Sequence, residues 1–164
     1  MKCLSASVGL ILIGSMSFAG SLADHPFFKA VAGEWVGEGS LTNAEGEEIP
    51  IHEEWKGSKN EEGGFSVEGT RQWGEESQEF RWVYLRNQAT ELYECEYWHT
   101  GMEEPVQFQV QLSDGAVEMT APIGGGELKV RNRLKDGTIV GEIALTGESG
   151  EASLTGTVTH RKKT

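Results

Sequence analysis

From residue 33 onward, apolar and polar residues alternate with a period of two, in short segments broken by glycine-rich turns. Alternation of this kind puts one face of a strand on a core and the other in water. It predicts ten strands, near 34–42, 48–58, 64–73, 78–87, 90–99, 105–112, 116–121, 127–135, 138–146 and 152–160. The connectors carry turn chemistry, most clearly at Asp114-Gly115 and Asp136-Gly137, where glycine tolerates the positive φ of a tight hairpin. Ahead of the strands, 24–32 predicts a short helix. Asp24 would cap it, Pro26 suits its first turn, Gly33 would end it, and Phe27, Phe28 and Val31 would form its apolar face.

Connectors this short make sequential strands pair antiparallel, because a parallel pair needs a long crossover. A ten-strand meander leaves two exposed edges unless the sheet closes on itself. The fold class is therefore all-β: a ten-stranded antiparallel up-and-down meander barrel with a short N-terminal helix. Gly33-Glu34-Trp35-Val36-Gly37-Glu38-Gly39 opens the first strand, with Trp35 placed to plug one end of the barrel. Glycines inside strands, at 37, 39, 69, 141 and 156, read as bends that let the sheet curl. Parity sends Glu53, Trp55, Arg71, Trp73, Trp82, Tyr84, Arg86, Asn132 and His160 inward along with the aliphatic residues. The fifth strand offers two faces, and Tyr93, Cys95, Tyr97 and His99 bury more apolar area and fewer charges than Leu92, Glu94, Glu96 and Trp98.

The first residues change the expected location. Lys2, the apolar run from Val8 to Gly14, and the small-x-small patterns Ser17-Phe18-Ala19 and Ser21-Leu22-Ala23 make residues 1–23 a signal peptide cleaved after Ala19 or Ala23. Export to the periplasm or the medium follows, with a single barrel domain over 24–164 and no membrane insertion once the leader is removed. The chain carries 14 Lys+Arg against 26 Asp+Glu, a net charge of −12, which argues against a nucleic-acid partner. After cleavage only Cys95 remains of the two cysteines, so no internal disulfide is available, and Cys95 reads as a small buried hydrophobe.

Charged groups on an inward face need partners or solvent. An arginine and a tyrosine among tryptophans make a seat for a small hydrophobic or carboxylate-bearing ligand, because guanidinium grips carboxylate with two parallel hydrogen bonds. The candidate ligand-binding residues are Arg71, Trp82, Tyr84, Arg86, Glu53, Trp55 and Tyr97. Alternatively, Arg71 and Arg86 lie at the rim with their stems on the aromatics. No catalytic elbow and no phosphate loop is present, and His52-x-Glu54 falls on the solvent face with no third ligand marked, so no metal site is expected.

The Gly-x-Trp-x-Gly-x-Gly strand after a short helix, leading into ten hairpin-linked strands, resembles the calycin superfamily of lipocalin-like barrels. Among these it is most similar to small exported bacterial domains, and more distantly to nitrobindin. The nitrobindin resemblance implies haem held by a late histidine. The late histidine here is His160, followed at once by Arg161-Lys162-Lys163-Thr164, unlike the family pattern, in which a terminal strand follows. The residues themselves call for no cofactor. Three functions stand side by side: an exported protein holding an apolar or amphipathic anionic molecule in the barrel, a structural or interaction domain whose barrel is filled by side chains, and a haem-dependent redox protein. A cavity of a few hundred cubic ångströms separates the first from the second.

Overall fold

A computed structural model describes residues 21–164; the expected leader through Ala19 lies outside the described residues. A 3-10 turn, Leu22–Asp24, precedes helix α1 (Pro26–Val31). Ten strands follow: β1 (Gly33–Asn43), β2 (Glu48–Lys59), β3 (Phe65–Trp73), β4 (Glu76–Arg86), β5 (Tyr93–His99), β6 (Val106–Ser113), β7 (Ala116–Ile123), β8 (Gly126–Lys135), β9 (Thr138–Thr146) and β10 (Ala152–Lys162). Each pairs antiparallel with its neighbours in sequence, and β10 returns to pair with β1, so the sheet is a closed barrel. The all-β meander expected from the alternation is the observed fold.

Helix α1 plugs one end. Its Phe28 is 1% exposed and its ring lies 4.8 Å from Phe65 and 5.0 Å from Tyr84. Trp35 ties β1 to the plug: its indole N–H donates to the Val31 carbonyl at 2.9 Å, and its ring stacks on Trp55 at 5.6 Å. The 3-10 turn belongs to the same cap, with Leu22 buried in the core and the Ser21 hydroxyl donating to the Gly63 carbonyl at 2.7 Å.

Two expectations are corrected. The helix cap is His25, whose Nδ1 accepts from the Phe27 N–H at 3.3 Å, not Asp24. Pro26 at the first helical position makes the residue just before it the cap. Strand β5 begins at Tyr93 rather than near 90, because Asn87 Oδ1 accepts from the N–H groups of Ala89 and Thr90 and Glu91 adopts φ 61°, which turns the chain before pairing resumes. The glycines of β1 also supply room for the neighbouring strand. A Cβ on Gly39 would sit 2.0 Å from the Thr157 carbonyl oxygen, and one on Gly37 would sit 2.3 Å from the His160 ring. The fifth strand turns the expected face inward, with Cys95 fully buried as a free thiol while Leu92 is 60% exposed.

Candidate functional site

The barrel is hollow. A cavity of about 260 Å³ runs from Phe28 and Val31 of the helical plug toward the opposite end, where half-exposed Trp73, Leu128, Leu145 and Leu154 line it. Most of its wall is apolar, contributed by inward positions of β1 to β5 and β8 to β10. Glu53, Trp55, Arg71, Trp82, Tyr84 and Tyr97 all line it, so six of the seven residues picked from parity converge on one space.

Arg86 does not join them. Tyr84, two residues earlier on β4, already packs against Phe28 of the plug. An inward-pointing residue at 86 therefore falls beyond the plug, and the guanidinium pairs with the Glu91 carboxylate in the following turn. Parity gave the correct side of the strand but could not locate the helix across the barrel.

One wall of the cavity carries a polar cluster. Register sets Glu53 of β2 opposite Arg71 of β3 on one side and Gly37 of β1 on the other, and Gly37 in turn is opposite His160 of β10. The missing side chain at 37 lets the His160 ring cross β1 and reach the Glu53 carboxylate. Arg71 Nε–H donates to Glu53 Oε1 at 2.5 Å, His160 Nε2 meets Glu53 Oε2 at 2.8 Å, and Arg71 Nη1–H donates to the Tyr97 hydroxyl at 3.0 Å. The guanidinium also lies 4.8 Å from the centre of the Phe80 ring, a cation–π contact that shields its other face.

The electrostatics follow from this arrangement. Burial alone would raise the Glu53 carboxyl, but the Arg71 charge and the hydrogen bonds from His160 and Arg71 outweigh it and hold the pKa at about 2. Glu53 is thus an anion at neutral pH and can only accept, so His160 Nε2 carries the proton of their bond. Burial would lower Arg71, and Glu53 more than restores it, so Arg71 stays a cation. Tyr97 is raised, chiefly by burial, and remains a phenol able to donate. Tyr84 and Cys95 are pushed well up by burial and stay protonated.

His160 is the site residue that sequence reasoning placed on the inward face but left out of the candidate set. The signal for it was Gly37: a glycine inside a strand marks a close approach. What it is approached by becomes visible only when β10 closes on β1. Asn132, likewise inward by parity, lines the same cavity beside Gly141.

No protein-family model matches the chain, and no curated protein matches it by sequence. Solved structures share its fold. The S-type phycobiliprotein lyase CPES from Guillardia theta is similar with a TM-score of 0.54 at 14% identity, over 84% of this chain and 91% of that one. Rv2717c from M. tuberculosis is similar with a TM-score of 0.58 at 10% identity, over 82% of this chain and 94% of that one. A DUF3598-family protein of unknown function from Nostoc punctiforme gives 0.53 at 15% identity over 82% of this chain, which spans about half (48%) of that protein's length. At these identities the likeness shows a shared fold.

Proposed function

We propose that this protein is an exported carrier that holds a small, largely apolar molecule inside the barrel, with one polar end of the ligand against the Glu53–Arg71–Tyr97 wall. The observation that carries this reading is the cavity of about 260 Å³, apolar over most of its surface, with a polar cluster on one wall. A barrel meant only as scaffold would be filled by its own side chains, as small barrels are. The volume lies just under the roughly 300–1,000 Å³ of clefts that take drug-sized ligands, which favours a compact ligand. The fold likeness to a phycobiliprotein lyase is compatible with a small-molecule ligand.

Export rests on the leader pattern. Of its two cleavage positions, Ala19 is favoured, because cutting after Ala23 would remove Leu22 from the core and Ser21 from its bond to Gly63. The residues do not suit haem. His160 Nε2 is engaged by Glu53, its Nδ1 is buried away from solvent, and the cavity is small for a macrocycle. No step is therefore assigned to a cofactor.

Native mass spectrometry of protein purified from its own host, followed by titration with an apolar fluorescent probe, tests the proposal. The expected result is a retained or titratable small molecule whose binding is lost when Val130→Trp fills the cavity. Leu154→Trp, at the open end, should slow entry and serves as a second check on a milder substitution. A wild-type protein that takes up no probe, or one whose uptake is indifferent to both fillings, would overturn it.

A further inference from the structure

The charge balance inside the cavity specifies the polar end of the ligand. Arg71 is the cation of the cavity wall, and its charge is already met by Glu53 at 2.5 Å. The other charged or titratable lining residues are taken up elsewhere. Glu142 pairs with Arg133 at 2.5 Å, His99 Nδ1 bonds the Thr100 carbonyl at 2.8 Å, and His160 is held by Glu53. A ligand carboxylate placed against this wall would therefore compete with Glu53 for the guanidinium, and a buried negative charge left without a partner of its own is costly.

Hydrogen-bond donors, by contrast, are in surplus. The Tyr97 oxygen accepts from Arg71 Nη1 at 3.0 Å, and among the described residues its own proton has no acceptor. Arg71 offers five N–H groups, and its hydrogen bonds among the described residues engage only Nε and Nη1. These donors stand beside rings that line the cavity, with Trp82 4.2 Å from Tyr97 and Phe80 4.8 Å from the Arg71 guanidinium. A donor pair with no charge to spend suits an uncharged acceptor. Apolar cavities of about 150 Å³ hold a benzene ring, so the volume here accommodates one or two rings.

We infer that the barrel selects a neutral carbonyl compound of one or two rings, a ketone, aldehyde or amide, whose oxygen accepts from the Tyr97 hydroxyl and Arg71, and that Glu53 excludes the corresponding carboxylic acids by neutralising Arg71. This rests on the proposed ligand-binding role and narrows it to a chemical class.

The test uses three matched probes, 2-acetylnaphthalene, 2-naphthoate and 2-ethylnaphthalene, titrated at pH 7.5 by calorimetry and tryptophan fluorescence. Wild-type protein is expected to bind the ketone at least about tenfold more tightly than the carboxylate, with the hydrocarbon weaker than the ketone. Tyr97→Phe keeps the ring and removes the donor. It should weaken the ketone by about tenfold, a single hydrogen bond's share, while leaving the hydrocarbon unchanged. Glu53→Gln frees the Arg71 charge and should shift preference toward the carboxylate. A carboxylate bound as tightly as the ketone by wild-type protein, or a ketone affinity untouched by Tyr97→Phe, would overturn the inference even if Glu53→Gln fails to fold. Hydrocarbon binding without ketone preference would sink this inference and leave the carrier role standing. Binding of none of the three would remove both.

Discussion

At the scale of single residues, the molecule concentrates its electrostatic risk in Glu53. The carboxylate is 6% exposed and survives as an anion because Arg71 and His160 hold both of its oxygens. Glu53→Gln would leave Arg71 a buried cation without its partner, and the expected cost is about 3–5 kcal/mol in urea unfolding at pH 7. Replacing Glu53 and Arg71 together by methionine should recover most of that loss, since two apolar groups leave no charge stranded. A loss below about 1 kcal/mol for Glu53→Gln, the range of surface pairs, would mean that the pair is solvated. The pH dependence has a defined sign. The folded pKa of about 2 lies below the ordinary 4.5, so this stabilisation is complete above about pH 4.5, shrinks as pH falls, and is gone below about 2. The difference in unfolding free energy between wild type and Glu53→Gln should fall across that window by on the order of 3 kcal/mol. A difference that stays flat from pH 5 to 2.5 would contradict the assignment of Glu53 as the titrating group.

At the scale of elements, β1 does two jobs with one alternating face. Trp35 anchors the helical plug, and Gly37, two residues on, clears space for His160. Gly37→Ala would press a methyl group against the imidazole, 2.3 Å from its Cδ2 and 3.0 Å from Val158 Cγ1, and should cost about 1–3 kcal/mol in chemical denaturation. If crowding of His160 is the cause, adding His160→Ala to Gly37→Ala should restore part of the loss, so that the double variant is more stable than the two single effects summed. Strict additivity would show that the glycine matters for strand geometry instead. The plug shows the same economy: the 3-10 turn and α1 are too short to be stable alone and hold only because Leu22, Phe27, Phe28 and Val31 are buried against the barrel.

At the scale of the whole molecule, nine of the ten strand pairings are hairpins between neighbours in sequence, and the tenth, β1 with β10, closes the barrel. That last pairing removes the exposed edges and also delivers His160 to Glu53. Deleting residues 152–164 would uncover the edges of β1 and β9, open the cavity, and leave Glu53 without its imidazole partner. Such a chain is expected to bind 8-anilinonaphthalene-1-sulfonate strongly and to run as soluble aggregates in size-exclusion chromatography. A monodisperse, dye-silent product would show that the remaining nine strands close by themselves.

The strands, their order and the inward face of nearly all of them were legible in the sequence, down to the choice of Cys95 and Tyr97 over Glu94 and Glu96 in β5. The reason is local: alternation with period two and glycine-bearing turns are imposed by the pleat and by backbone sterics within a few residues. The wall residues Glu53, Arg71 and Tyr97 were legible for the same reason, as charges and polar groups on an apolar face. Tertiary structure alone decided which of them meet. Arg86 has the right parity but falls beyond the helical plug, and His160 reaches Glu53 across 107 positions of chain because the barrel closes and Gly37 lacks a side chain. Alternation assigns a residue to one side of a sheet. Whether it faces a cavity, a plug or a partner depends on how far along the barrel axis it lies and on what the closing strand brings opposite.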